Sequence, residues 1–532
     1  MAWRDSRSLC PNVKHSKWLA HLLLRWSCNA RDVHLLRGCS ERVVREAAAR
    51  HDQGVKVAFA CIVGALRPSA EGTLADVPDT MLSEGFLKSY AQACLGLKDG
   101  GMGLRLWAQH CDAAFLGQWA LSLQSAHDKL NDRCFYPVLR TTLSAAVDAG
   151  GHVGRELPLP EDAGGTPLAR DLARAWIRHT AKAVDLVGAY PTQATWFAAL
   201  EGELGNLQAM PPEKAQKTFS ETVLKLEVRN FQRVAAAEPL RLKNWKAECN
   251  RVAARTYAST PWQEADVLTM TNTNVDVAVA RRLRIERPVP LQTPRSCPCG
   301  HNQGVPGADV MGDHEEATCS KNAGLRTTAH DNLADTLMLF LRAAGFRNLK
   351  REVLAWDDIS TDGRHRRVPD IICDAPGAGG RYIIDLRIAW KLSNAAGGAR
   401  YERTGDLARA GAKDKWRRWK KAVENHRDFA NGATFVPFSM EIGGAMCAEA
   451  SSFWTMCIEW AGNTRCVDRW HWSAPSFDDF WTQAIGVCLV NSRGLVAAGA
   501  SERGRRRGAG YRDRWGRTSL AQLESSYTDN PM

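Results

Sequence analysis

The chain lacks any run of about 18 or more apolar residues, so no segment offers a helix long and apolar enough to cross a bilayer. It also lacks an apolar signal segment. Met1 to Asp5 leads straight into charged residues, and a chain that is not secreted is expected. No internal repeat is present, which sets aside stacked-repeat architectures. The 16 cysteines in 532 residues are too scattered for a disulfide framework. In a reducing compartment they stay thiols, so a local Cys/His cluster reads as a metal site.

What is present suits a globular protein. A hydrophobic share of 45% and a charged share of 24% are ordinary and supply enough apolar side chains for a sizeable core. The length fits roughly two to four domains of about 100–200 residues each. The formal net charge of +12 favours polyanionic partners, although charge governs association and not fold. Most of the 19 tryptophans are expected in cores, with a minority available to stack on bases.

Residues 1–147 read as helical, with Leu19, Leu22, Leu23 and Trp26, and later Ala113, Leu116, Ala120 and Leu123, at helical spacing. Between these stripes, Leu97 to Arg105 holds three glycines in four positions, which break any helix and let backbones approach closely. Residues 148–167 are rich in Gly and Pro and read as a linker. Residues 168–290 are again helical in pattern, and Pro288, Pro290 and Pro294 mark a boundary. A Cys/His segment occupies 291–325. An alternation of helix and strand over 326–489 reads as one α/β domain. The basic segment 490–532, with Arg505, Arg506 and Arg507 among glycines, is expected to be disordered and able to grip phosphates by charge.

Four constellations carry chemistry. Cys297, Cys299, His314 and Cys319 supply the four soft or borderline ligands of a closed, structural zinc site. The segments Val368 to Ile372 and Tyr382 to Ile388 read as short buried strands. Alternation puts Tyr382, Ile384, Leu386 and Ile388 on one face and Asp385 with Arg387 on the other. The turn between the strands suits a hairpin, which brings Asp370 near Asp385. Two close carboxylates repel unless a cation sits between them. Magnesium binds through one or two carboxylates plus a substrate phosphate, and it can activate water against a phosphodiester. An ion pair of Asp385 with Arg387 or Arg367 is the competing, purely structural account.

The third constellation is a helix starting near Thr328, with Leu333, Leu337, Phe340, Leu341 and Ala344 as its apolar stripe. His330 is a candidate phosphate contact, and Asp331 is expected to stabilise the helix N-terminus. Glu352 is either a further acid or a rim charge. The fourth is a helix from about Asp406 to Phe429, with Ala412, Trp416, Trp419 and Val423 as the expected buried stripe. Lys413 or Lys415 from this helix is the candidate for stabilising phosphate charge beside the aspartates.

The order of these pieces resembles the C-terminal part of non-LTR retrotransposon polyproteins that carry a restriction-like endonuclease. The matching residues are Cys297, Cys299, His314 and Cys319; His330-Asp331; Arg367-Val368-Pro369-Asp370; Asp385; and Lys413-Asp414-Lys415-Trp416. Phe435-Val436-Pro437-Phe438 with Gly443-Gly444 looks like the strand and turn that close such domains. Leu24-Arg25, His34 to Arg37, Ala49 to Asp52 and Leu97 to Arg105 resemble the helical thumb of the same polyproteins.

The resemblance implies an α+β multidomain chain: helical N-terminal region, zinc knuckle, then a PD-(D/E)xK nuclease domain. It implies structural Zn2+ and catalytic Mg2+, DNA and retroelement RNA as partners, and a nuclear location. His330, Arg367, Arg387, Arg505, Arg506 and Arg507 would meet nucleic acid. The slot two residues after the second acid, a lysine in related nucleases, is Arg387 here, and in this family the following helix supplies the lysine instead. No aromatic-x-Asp-Asp motif of a polymerase palm occurs, since Asp357-Asp358 and Asp478-Asp479 stand in other contexts. The expected activity is therefore nicking of target DNA without reverse transcription. A catalytically inactive nucleic-acid-binding remnant is the second expectation.

Overall fold

The computed structural model describes residues 17–28, 33–66, 74–130, 212–257, 268–287, 311–317, 319–352, 368–377, 379–390, 403–462 and 476–505, with positions 171, 174, 175, 178, 179, 299 and 474. Helices fill the first half: α1 (Lys17–Leu23), α2 (Val33–Gly38), α3 (Glu41–Ile62), α4 (Glu84–Ala93), α5 (Trp107–Leu130), α6 (Pro212–Ala236), α7 (Pro239–Glu248), α8 (Arg251–Thr256) and α9 (Asn272–Leu283). Then come α10 (Asp313–Ala317), α11 (Ala323–Ala343), β1 (Arg347–Arg351), β2 (Ile371–Asp374), β3 (Arg381–Ala389), α12 (Asp406–Asn425), α13 (Arg427–Ala430), β4 (Thr434–Glu441), α14 (Ala448–Ala461) and α15 (Phe477–Arg505). The architecture is α+β: a largely helical N-terminal and middle part, then a small open mixed sheet.

The strands lie in the order β1-β2-β3-β4. The first two pairings are antiparallel, and β3 pairs parallel with β4. A parallel neighbour requires a crossover, and α12 provides it. The sheet is covered on both faces. Ile384, Leu386, Val436 and Phe438 face a large core shared with Leu333, Leu337 and Phe340 of α11, Phe453 of α14 and Trp481 of α15. On the opposite face Ile372, Ile383 and Phe435 pack against Trp419 and Ala422 of α12.

The large core does not stop at the sheet. It runs back through Val252, Val275 and Leu283 to Phe59, Phe86 and Trp18. The glycine loop after α4 is held from the connector side: Arg282 donates to the Gly101 carbonyl at 3.0 Å and to Leu97 at 2.7 Å, and the Trp245 indole donates to Asp99 at 2.7 Å. Glu248 stands between two buried arginines, 3.2 Å from Arg282 and 3.0 Å from Arg493. Helices α7, α9 and α15 are thereby joined by charge as well as by apolar packing.

Several expectations need correction. The segment from 490 is not a disordered tail at its start, because α15 continues to Arg505 with Val490, Val496, Ala497 and Ala500 buried. Its glycines are contact points: a Cβ at Gly494 would sit 1.8 Å from Asn274 Oδ1. Arg506 and Arg507 lie outside the described residues. Helix α11 begins at Ala323, five residues before the expected start. Asp331 is therefore well inside the helix and does not serve its N-terminus. It lies 3.4 Å from Arg351 of β1, and Asp335 pairs with the same guanidinium. Helix α12 ends at Asn425, and Trp416 lies on its outer side, 38% exposed. The expected linker 148–167 lies outside the described residues.

Candidate functional site

Two groups of chemistry-bearing side chains form. The first lies just ahead of α11. Cys299, His314 and Cys319 bring their ligand atoms within 4.8 Å of one another. The Cys299 thiol is 3.0 Å from His314 Nε2. His314 and Cys319 are buried, and the Cys319 amide donates to the His314 carbonyl at 2.9 Å. Two thiols and an imidazole are a donor set that zinc takes. Cys297, the expected fourth ligand, lies outside the described residues.

The short α10 that carries His314 is docked by charge. Asp313 pairs with Arg281 and Arg284, while Arg287 reaches Glu315 at 2.5 Å and Glu316 at 2.8 Å. These arginines come from the end of α9 and just after it, so the segment that carries His314 is clamped to the helical part. Among the described residues, this is the one group of three or more His, Cys, Asp or Glu side chains close enough together to hold a metal ion.

The second group lies at the edge where β2 begins. In the antiparallel register Ile371 faces Ile384, which sets Asp370 beside Asp385. Asp370 Oδ2 accepts from the Leu386 amide and lies 3.5 Å from His330 Nε2 of α11. Asp385 is 7% exposed, and both its oxygens are held from α12: Lys415 Nζ lies 2.7 Å from Oδ1, and Trp419 Nε1 lies 2.7 Å from Oδ2. Burial pushes Asp385 up; Lys415 opposes this, Asp370 adds to it, and the outcome is about 6. Burial also pushes Asp370 up, but His330, Asp385 and Lys415 together outweigh it and hold Asp370 below the usual range. The Asp370 carboxylate in turn raises His330, against burial. Two neighbouring carboxylates thus separate into a readily ionised partner and a reluctant one.

Helix α12 comes close enough because of Gly411. A Cβ there would stand 2.3 Å from Ser439 Oγ of β4 and 3.0 Å from Arg387 Cδ of β3. Lys415 and Trp419 follow at four and eight residues, on the same helix face. The helix start is tied to β4 as well, the Leu407 amide donating to buried Glu441 Oε1 at 3.0 Å.

Of the two candidate lysines, Lys415 reaches the aspartates and Lys413 is exposed. Arg387 does not pair with Asp385; it lies 2.8 Å from Asp414, which Arg417 and Arg418 also approach. Arg387 is therefore paired within the protein, while part of its side chain stays open to solvent. Arg367 lies outside the described residues. Glu352 is exposed beside Arg351, a rim charge. The expected Asp-Asp-Lys set is joined by one residue that sequence reasoning assigned only to the core, Trp419. Among the described residues no third acid joins Asp370 and Asp385 in a metal-binding group.

Compared with known proteins, the chain matches no family model and no curated protein. Among the described residues no helix is long and apolar enough to cross a membrane.

Proposed function

We propose that the protein is a zinc-clamped, nucleic-acid-associated module of the kind carried by non-LTR retrotransposons. The observation that carries this reading is the convergence of Cys299, His314 and Cys319, with the short helix that carries His314 locked by ion pairs to the end of α9 and the residues just after it. Zinc would be held by these residues, with Cys297 as the expected fourth ligand, and would fix the fold at this junction. The net charge of +12 supplies attraction to a phosphate backbone. The test is binding of the full chain to a DNA duplex and an RNA hairpin across a salt series, with metal content measured alongside. A chain free of zinc, or binding that ignores salt, overturns the reading.

A finer reading adds hydrolysis of a DNA phosphodiester, favoured by the meeting of Asp370, Asp385 and Lys415. Asp370 and Asp385 would hold magnesium, which when bound supplies a Lewis acid and lowers the pKa of water. Asp370 brings the more acidic carboxylate, held in place by His330 and the Leu386 amide. Lys415 places a cation where a phosphate oxygen would develop charge. Trp419 seals the inner side of the pair.

The partners on both oxygens of Asp385 and, among the described residues, the lack of a third acid favour the non-cutting module over this second reading. A plasmid-nicking assay with magnesium, using parent, Asp370→Ala and Asp385→Ala chains, decides between them. Nicking by the parent alone supports cleavage, and equal behaviour of all three leaves only the binding module.

A further inference from the structure

We infer that Trp419 is a positioning residue for the carboxylate pair: its indole N–H holds one oxygen of Asp385 and leaves the other to exchange between Lys415 and a divalent cation. The inference rests on the two-carboxylate reading above. Trp419 is 3% exposed, and its Nε1 donates to Asp385 Oδ2 at 2.7 Å, while Lys415 holds Oδ1 at 2.7 Å. The two donors differ in kind. An ammonium on a four-carbon stem can swing aside when a cation arrives. An indole N–H is a donor only, with no second role to switch to.

Its ring is also fixed. It stacks on Phe435 with centroids 5.1 Å apart and 26° between planes, within the small core of Ile372, Ile383 and Ala422. A buried indole needs some acceptor. Here the acceptor is the buried acid that faces Asp370, so the same bond that satisfies Trp419 also sets the rotation of Asp385. Oδ1, held only by the mobile Lys415 ammonium, is then the oxygen left for a cation, with Oδ2 committed to the indole.

The test titrates Mn2+ into the full chain by calorimetry, so that no turnover is needed. Asp385→Asn should abolish the site. Trp419→Phe, which keeps a ring against Phe435 and loses the N–H, should weaken Mn2+ about tenfold or more, the usual cost of losing a group that orients a ligand. Lys415→Met removes a competitor for Oδ1 and should not weaken it. In the parent labelled with 15N-tryptophan, one indole N–H resonance should move when Mg2+ is added, and none should move that way in Asp385→Asn. This second measurement stands even if Trp419→Phe does not fold. If Asp385→Asn loses Mn2+ while Trp419→Phe binds as the parent does, or if no indole resonance moves with Mg2+, Trp419 has no positioning role and the carboxylate reading stands. Indistinguishable binding by parent and Asp385→Asn removes both.

Discussion

Gly411→Ala sets two effects against each other inside one substitution. In a free helix the change is favourable by about 1 kcal/mol, because alanine loses less backbone freedom than glycine. Here the new Cβ would stand 2.3 Å from Ser439 Oγ, with Arg387 Cδ at 3.0 Å. Ser439 sits on β4 and is fully buried, so it has little room to retreat. Restoring ordinary contact takes about 1 Å of outward movement by α12. Overpacking of this kind costs about 1–3 kcal/mol. The two terms nearly offset, and the melting temperature is expected to fall by only a few degrees.

The site is expected to suffer more than the fold. Lys415 and Trp419 ride on α12, each 2.7 Å from its Asp385 oxygen, and an ångström of retreat breaks both contacts. A misplacement of that size costs a catalytic constellation about a hundredfold. The assay pairs thermal denaturation with Mn2+ affinity and plasmid nicking on the same preparation. A variant that melts higher than the parent while keeping parental Mn2+ affinity would refute the argument that Gly411 sets the approach of α12.

Three further outcomes follow from the buried charges and the metal clamp. Glu248→Gln leaves Arg282 and Arg493 buried without their shared carboxylate, and should cost about 3–5 kcal/mol in chemical denaturation; a loss under 1 kcal/mol would contradict the pairing. His21, buried beside Arg25 and Arg282, is pushed mainly by burial down to about 3 from an ordinary 6.5. Its neutral form is the native one, so the contribution is present above about pH 6.5 and is lost as pH falls toward 3. At pH 5 the loss is about 2 kcal/mol, and His21→Phe should flatten the acid limb of the stability curve; an unchanged limb would rule this out. Cys319→Ser, or removal of metal by a chelator, should expose the α10 segment to protease while leaving the far end of α15 protected. Uniform cleavage would argue against a local clamp.

The strands were legible because their evidence is local. Alternation over Tyr382 to Ile388 assigns faces, a short Gly/Pro turn assigns the hairpin, and the two together bring Asp370 to Asp385. The lysine was not legible from the large apolar residues of α12, because the buried face is built from Ala408, Ala412, Trp419 and Ala422. Lys415 falls within that stripe at the spacing 408, 412, 415, 419, 422. Small residues give a weak hydrophobic signal, and Trp416 beside Trp419 drew the expected stripe toward the outer side of the helix. Cys299, His314 and Cys319, which could hold a metal ion, lie within one short segment and could be read from type and spacing. The ion pairs that dock the segment, Arg281, Arg284 and Arg287 against Asp313, Glu315 and Glu316, have no local signature. Neither does the Glu248 pair with Arg493, which joins residues 245 apart in the chain.

Those ion pairs change where the charge for nucleic acid must be sought. Arg281, Arg282, Arg284, Arg287, Arg351, Arg387 and Arg493 each stand against a carboxylate of the protein, most of them buried or half-buried. The buried ones among them, Arg281, Arg282, Arg287 and Arg493, are out of reach of a phosphate in solvent, and replacing one would strand its carboxylate before it loosened any DNA. The net positive charge therefore acts through side chains left at the surface. On α12, Lys413 and Lys421 are exposed, and the same helix delivers Lys415 to the aspartates. Each phosphate contact made by such a lysine releases about one counterion from duplex DNA. Lys413→Gln combined with Lys421→Gln should thus flatten the slope of log affinity against log salt by about 1 to 2, with no change in thermal stability. A slope identical to the parent's would place the phosphate track on another face of the molecule and would separate DNA binding from the helix that serves the carboxylate pair.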